Sequence, residues 1–133
     1  LSTLDATGIA GEVGNTNQAI KNVCGKTATV MRPPYGAIND TVKANVGMPM
    51  ILWSIDTLDW KTRNAQSTIN NVMTKVKDGD IILMHELYGA TGDAVARIVP
   101  ELHKRGFQMV TVSQMAAAKG RSLEAGKLYS SFN

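Results

Sequence analysis

Apolar residues recur along the chain with two patterns, one typical of helices and the other of buried strands. Between Ile9 and Val23 the apolar positions keep helical spacing, Asp5 can cap the first turn, and Gly25 can end the helix. A second amphipathic helix is predicted from Asn64 to Val76. Further helices are predicted at 39–45, 91–105 and 113–119.

Short apolar runs predict a strand before each of the later helices. The predicted strands cover 27–31, 50–55, 80–84 and 107–112. A strand–helix unit repeated at short spacing requires parallel strands with right-handed crossovers, which places the chain in the α/β class. Four parallel strands are too few to close a barrel, so we expect the chain to be part of a larger fold.

The run from Asp80 to Met84 carries four consecutive apolar residues and predicts a strand buried on both faces. His85 follows it, at the point where a parallel strand ends and its loop begins. Ligands and catalytic groups of α/β proteins collect at that edge. The loops after the first three strands bring polar and aromatic side chains to the same edge: Arg32, Tyr35, Asp56, Asp59, Trp60 and His85.

These residue types suit general-acid catalysis and sugar binding. A carboxylate hydrogen-bonded to a histidine fixes its tautomer and stabilises its protonated form, as a general acid requires. An indole face can stack on the apolar side of a sugar ring, and arginine can orient a carboxylate. Each residue also has a structural interpretation, with His85 completing a strand end, Asp59 capping a turn and Trp60 filling the core. His103 is interpreted as a solvated helix residue.

Composition narrows the class of protein. The 133 residues carry a net charge of +3 that is spread along the chain, without a basic run interleaved with aromatics, so nucleic acid is not an expected partner. No apolar stretch reaches the roughly 20 residues that span a bilayer. The single cysteine, Cys24, excludes an internal disulfide and a cysteine-based metal cluster. The start at Leu1, without an initiator methionine or signal sequence, is interpreted as processed or truncated.

Three segments together carry a resemblance to a known family. Arg32-Pro33-Pro34-Tyr35, Asp56-Thr57-Leu58-Asp59-Trp60 and Leu83-Met84-His85 resemble the last three signature motifs of the NodB-homology polysaccharide deacetylases, carbohydrate esterase family four. Their order and strand placement match as well. The resemblance implies a distorted (β/α) barrel and metal-assisted removal of acetyl groups from N-acetylated or O-acetylated sugars in a polymer.

The resemblance also implies roles for individual residues. His85 resembles the general acid that protonates the leaving group, and Asp59 resembles the carboxylate that pairs with it. Arg32 resembles the residue that orients the catalytic-base aspartate, and the backbone N–H of Tyr35 resembles the oxyanion donor.

Substrate contacts follow from the same resemblance. Trp60 resembles a wall of the sugar groove, and Leu83 resembles a side of the pocket for the acetyl methyl group. Pro34, in the loop before Tyr35, is assigned to the substrate-binding set. The polymer is left open between peptidoglycan, a chitin-type polymer and xylan.

The chain departs from the family pattern at the metal site. The family motifs that supply the catalytic base and the metal ligands are absent, and the only histidines are His85 and His103. A catalytic zinc normally has three protein ligands. Residues 1–133 are therefore interpreted as the C-terminal portion of one deacetylase domain that binds no metal alone, while the complete enzyme uses zinc or cobalt. Its expected partners are an acetylated polysaccharide and either the missing N-terminal segment or another copy of the chain, and its expected location is secreted or at the cell surface.

Two other functions remain open. One is a non-catalytic carbohydrate-binding barrel relative that never carried the metal motifs, and residues encoded before Leu1 would distinguish it from an enzyme. The other is a small phosphate-binding α/β domain, which no glycine-rich phosphate loop supports.

Overall fold

The computed structural model describes all residues from 1 to 133, and they form two compact units. The first unit contains Leu1–Leu52 and Ser122–Tyr129. The second contains Trp53–Arg121 and Ser130–Asn133. The chain therefore enters the second unit between Leu52 and Trp53, inside the segment predicted to be one strand.

Helices and short parallel strands make up both units. The helices are α1 (Ala6–Cys24), α2 (Asp40–Asn45), α3 (Asp59–Thr62), α4 (Ala65–Met73), α5 (Gly89–Lys104) and α6 (Val112–Ala118), and a 3-10 turn spans Pro34–Gly36. The strands are β1 (Met50–Ile51), β2 (Ile55–Asp56), β3 (Ile82–Leu83) and β4 (Leu128–Tyr129). The α/β class with parallel strands is confirmed.

Helix α1 begins and ends where local sequence predicts. The Asp5 carboxylate accepts a hydrogen bond from the Gly8 N–H at 2.8 Å, and Gly25 ends the helix in the left-handed region at φ 74°. Among its apolar residues only Ile9 is buried, whereas Val23 is 89% exposed. Only the first half of α1 therefore contributes to the core of its unit.

The first unit is organised around β1, which pairs in parallel with β4 in the register Met50↔Leu128. Its core contains four fully or nearly buried side chains: Ile9, Val42, Val46 and Met50. The strand predicted at 27–31 is reduced to one bridge between Met31 and Met50. Met31 alone makes ladder hydrogen bonds, donating to the Pro49 carbonyl and accepting from the Ile51 N–H, so the prediction of a full strand there is wrong.

The second unit pairs β2 with β3 in parallel, in the register Ile55↔Ile82 and Asp56↔Leu83. Its core lies between α4 and α5 and contains Ile69, Val72, Ala94, Ile98 and Leu102. The Asn64 side chain caps α4, as predicted, by accepting from the Ser67 N–H at 2.9 Å. Each of the larger side chains in such a core contributes about 1.5–3 kcal/mol through burial, which makes α5 a rigid support for residues at its start.

Three strand predictions in this part of the chain need correction. The segment at 50–55 contains two strands, β1 and β2, separated by 52–54. The run at 80–84 alternates between buried Ile81 and Leu83 and half-buried Ile82 and Met84, so it is not buried on both faces. The segment at 107–111 forms no strand, because no other segment of these residues pairs with it. Strand β4 and the bridge of Ser131 to Asp80 were not predicted, since their pattern is too short to show a period.

Candidate active site

Asp59 and His85 are in direct contact. Asp59 follows β2 closely and His85 follows β3 closely, and because these strands are parallel, both residues lie at the same edge of the sheet. The His85 Nδ1 atom is 2.8 Å from the Asp59 Oδ1 atom. The Asp59 side chain is 1% exposed and that of His85 is 35% exposed. The contact predicted from strand placement is confirmed, and the imidazole remains accessible.

The loop from β2 to Asp59 is held by its own polar side chains. The Asp56 carboxylate accepts from the Leu58 N–H at 2.9 Å, which supports Leu58 in the left-handed region at φ 56°. The Thr57 hydroxyl donates to the Leu83 carbonyl at 2.8 Å. This bond ties the loop to the end of β3, two residues before His85. Left-handed backbone at a bulky residue costs roughly 1–3 kcal/mol, and such strain clusters at functional sites.

The Asp59 carboxylate accepts four hydrogen bonds. Oδ1 accepts from His85 Nδ1 at 2.8 Å and from the Trp60 N–H at 2.9 Å. Oδ2 accepts from the His85 N–H at 2.7 Å and from the Thr91 hydroxyl at 2.8 Å. Each oxygen therefore has two donors, and the carboxylate has a single orientation that satisfies all of them.

These contacts determine the protonation of the pair. Burial by itself raises the pKa of Asp59, but the hydrogen bonds from the His85 side chain and backbone, from Thr91 and from Trp60 lower it below its usual value. An ionised carboxylate can only accept, so the hydrogen on the His85 ring must lie on Nδ1. The other ring nitrogen, Nε2, is then the atom that can carry and release a second proton.

Aromatic side chains lie around His85 and beside Asp59. The Trp60 side chain is 47% exposed, which agrees with its predicted place on the rim. The Tyr88 ring contacts the His85 ring edge-on with centroids 6.2 Å apart. The Arg63 guanidinium lies 5.0 Å from the centroid of the Tyr88 ring. Tyr88 and Arg63 were not among the predicted site residues, because no sequence period connects them to His85.

Thr91 is the other residue that sequence analysis missed. The sequence predicts a helix that opens at Thr91, but α5 begins at Gly89, and the Thr91 hydroxyl donates to Asp59. A signal was available, because Thr91 precedes Ala94 and Ile98 at helical spacing and so continues their buried face.

Three of the predicted site residues, Arg32, Pro34 and Tyr35, lie in the first unit, whereas Leu83 lies in β3 of the second unit. The Arg32 guanidinium donates to the carbonyls of Ile51 and Leu52, each at 3.1 Å, and its burial lowers the pKa of Arg32 from the ordinary value. The Tyr35 side chain is fully exposed, and its backbone is left-handed at φ 59°. Pro34 is exposed at the start of the 3-10 turn, and a cavity of ≈ 260 Å³ is lined by both Arg32 and Pro34. Their convergence with Asp59 and His85 stays a prediction.

The residues of this chain do not fit a complete metal site. No group of three or more His, Cys, Asp or Glu side chains that could hold a metal ion is found among residues 1–133. The Nδ1 atom of His85 is engaged with Asp59, and His103 is exposed on α5.

Comparison with known proteins identifies the family. A family profile described as polysaccharide deacetylase matches residues 1–50. The chain is 38% identical over 108 residues to the peptidoglycan-N-acetylmuramic acid deacetylase PdaC of Bacillus subtilis, covering 81% of this chain and 23% of PdaC. A solved deacetylase called T48, determined with its substrate, matches with a TM-score of 0.89 at 38% identity, covering 95% of this chain and 62% of T48. A family 4 acetyl xylan esterase from Clostridium thermocellum, in complex with a cobalt ion, matches with a TM-score of 0.89 at 27% identity. The match covers 96% of this chain and 65% of the esterase chain.

The chain belongs to the polysaccharide deacetylase family of the NodB-homology, carbohydrate esterase family four type, and it covers part of that domain. It spans less than two thirds of the two solved chains described above and about a quarter of PdaC. None of its helices combines the length and the apolar character that crossing a membrane requires. The assignment of residues 1–133 to the C-terminal portion of the domain stays a prediction.

The left-handed backbone of Arg63, at φ 47°, leads to a stability prediction. Arg63→Gly should leave the free energy of unfolding within about 0.5 kcal/mol of wild type, because relief of backbone strain offsets the lost contact with Tyr88. Arg97→Gly, at an exposed position inside α5, should lower the free energy of unfolding by about 1 kcal/mol. Urea denaturation measures both variants, and equal destabilisation would show that Arg63 is not strained.

Proposed function

We propose that this chain supplies the general-acid part of the active site of a metal-dependent polysaccharide deacetylase. The reaction removes acetyl groups from N-acetylated or O-acetylated sugars, with cell-wall peptidoglycan or a chitin-type polymer as substrate. The observation that carries the proposal is the Asp59–His85 hydrogen bond at the edge where β2 and β3 end. A buried, ionised carboxylate paired with an accessible imidazole is the arrangement that a general acid needs.

The proposed step is the collapse of the tetrahedral intermediate formed at the acetyl carbon. The protonated imidazole of His85 donates its Nε2 proton to the leaving group as the bond from the acetyl carbon breaks. The proton goes to the nitrogen of an amine or to the oxygen of an alcohol. Asp59 stays ionised and holds the Nδ1 hydrogen throughout. The Tyr35 N–H is assigned to the oxyanion, and Arg32 is assigned to orienting the catalytic base of the complete enzyme.

The metal and the catalytic base are assigned to the complete enzyme and not to these 133 residues. Zinc or cobalt is the proposed metal, and the esterase relative that holds a cobalt ion supports this class of ion. The segment that provides those ligands is either the rest of the same domain or another copy of the chain. Because the polymer lies outside the cell membrane, we place the protein in the secreted or cell-surface compartment.

Peptidoglycan is the favoured polymer because PdaC, a peptidoglycan deacetylase, is similar over four fifths of this chain. Trp60, Leu83 and Pro34 are the proposed contacts to the substrate. Trp60 offers an exposed indole face, whereas Leu83 is 7% exposed and would contribute an apolar surface next to the acetyl methyl group. Acetate release from peptidoglycan and from chitooligosaccharides by the complete enzyme tests the proposal, and activity on neither polymer would contradict it.

Trp60→Phe should weaken polymer binding more than it lowers stability. Phenylalanine offers a smaller face to a sugar ring, while a side chain that is 47% exposed contributes little to the core. Polymer affinity and the thermal midpoint should be measured on the same preparation. Trp53→Phe, at a half-buried position in the same unit, is the matched control and should affect stability more than affinity. A fall in the thermal midpoint of Trp60→Phe without any loss of affinity would exclude the groove role.

The isolated 133 residues should bind no divalent metal specifically and release no acetate from acetylated chitooligosaccharides. The reason is that His85 and Asp59 provide an acid but no activated water. Titration with zinc and cobalt, followed by calorimetry, measures the first property, and an acetate assay measures the second. Adding a segment that bears the two missing family motifs should restore part of both. Tight stoichiometric zinc binding with deacetylation by this chain alone would refute the assignment.

A further inference from the structure

Thr91 is a buried polar residue on the otherwise apolar buried face of α5. It is the third residue of that helix, 4% exposed, and it precedes the buried residues Ala94, Ile98 and Leu102 at spacings of three, four and four along one face. Its backbone N–H donates to the Tyr88 carbonyl at 2.9 Å. The start of α5 therefore does not depend on the Thr91 hydroxyl, which is directed to Asp59 instead.

The Thr91 hydroxyl is the only donor to Asp59 that comes from α5. The other three donors belong to Trp60, which follows Asp59 in α3, and to His85, the partner of Asp59 in the pair itself. Thr91 instead belongs to a longer helix whose buried face packs against α4. The bond from the Thr91 hydroxyl to Oδ2 therefore holds the carboxylate in a fixed position relative to the core of the second unit.

We propose that Thr91 is a positioning residue of the deacetylase: its hydroxyl holds the Asp59 carboxylate so that Oδ1 accepts the Nδ1 hydrogen of His85 and Nε2 is left to deliver the proton. This inference rests on the proposed role of His85 as general acid. The Thr91 hydroxyl keeps its own hydrogen throughout, and Asp59 gains none.

The charge state of Asp59 supports this role. Burial alone favours the neutral carboxyl, and the Thr91 hydroxyl is one of the donors that lower the pKa of Asp59. Without it, Oδ2 keeps only the His85 N–H as a partner. The carboxylate can then rotate about its Cβ–Cγ bond, and the imidazole is free to adopt its other tautomer.

The test uses three variants of the 133-residue chain. Thr91→Val keeps the shape and removes the hydroxyl, and Thr91→Ser keeps the hydroxyl. Thr68→Val is the matched control, because Thr68 is also buried, at 1% exposed on α4, and is not among the donors to Asp59. If Thr91→Val does not fold, Thr91→Ala removes the same hydroxyl without adding bulk.

Two NMR measurements give the result. The ¹⁵N shifts of the ring nitrogens report the tautomer of neutral His85, with His103, the only other histidine and an exposed one, as internal reference. The ¹³C shift of the Asp59 carboxyl against pH reports its pKa. Thr91→Val should lose the single Nδ1–H tautomer and raise the pKa of Asp59, while Thr91→Ser and Thr68→Val should match wild type in both.

An unchanged tautomer and an unchanged Asp59 pKa in Thr91→Val would overturn the inference. Equal changes in Thr68→Val would also overturn it, because they would show a general effect of losing a buried hydroxyl. Both measurements are made without substrate or metal. If the complete enzyme released no acetate, the proposed function would fail, but the NMR result on Thr91 would still hold. If the enzyme were active and the Thr91→Val spectrum were unchanged, only the role of Thr91 would be refuted.

Discussion

Replacing His85 by alanine should lower the turnover of the complete deacetylase on an amide substrate by roughly 10² or more, the usual scale for the loss of a general acid. The leaving amine would then depart without a proton. A 35% exposed imidazole whose Nδ1 is occupied by Asp59 can deliver that proton only from Nε2. Turnover measured by acetate release under saturating substrate isolates this step from binding.

Two controls make the His85 experiment decisive. His103→Ala changes the other histidine, which is exposed on α5, and should leave turnover unaltered. An aryl acetate releases a weakly basic phenolate that needs no proton donor, so His85→Ala should retain most of its activity on that ester. Wild-type turnover of His85→Ala on the amide, or an equal loss on both substrates, would remove the general-acid role.

Asp59→Asn should lower the free energy of unfolding by about 3 kcal/mol. In the wild type each Asp59 oxygen accepts two hydrogen bonds. In the variant, the amide nitrogen of asparagine must take the place of one of these oxygens. His85 Nδ1 can change tautomer and the Thr91 hydroxyl can rotate, but the N–H groups of Trp60 and His85 can only donate. Either orientation of asparagine therefore leaves one backbone N–H facing another donor in a buried site. Asp93→Asn, at an exposed position of α5, should change the free energy of unfolding by less than about 0.5 kcal/mol.

The pH dependence of the free energy of unfolding should show whether Asp59→Asn acts through the lost charge or through lost packing. The folded pKa of Asp59 lies below the unfolded value of about 4. Its ionisation therefore stabilises the fold above about pH 4, and this contribution is lost as the pH falls through the lower folded pKa. Asp59→Asn lacks that titration. The difference in unfolding free energy between wild type and variant should stay constant from about pH 7 to about pH 4 and narrow below about pH 4. A difference that does not change below that pH would contradict the linkage.

The starts of α1, α2 and α4 could be predicted because they depend on neighbours in sequence. The side chains of Asp5, Asn39 and Asn64 each accept from a backbone N–H three residues later, and Gly25 supplies a left-handed residue directly after α1. Strands were harder to predict, because a strand exists only where a partner segment supplies hydrogen bonds. The apolar run at 107–112 has the composition of a strand but pairs with nothing among residues 1–133, whereas the short β4 pairs with β1.

The sequence by itself determined the family motifs, the parallel α/β class and the placement of Asp59 and His85 after neighbouring strands. Residue types and their order carry that information, because parallel strands end at a common edge. The tertiary structure alone decided that Thr91 also donates to the carboxylate. The bond from Thr91 to Asp59 joins residues 32 positions apart, and no local pattern specifies it. It forms because packing of α5 against α4 brings a buried hydroxyl to Asp59, and that packing depends on apolar residues outside every motif.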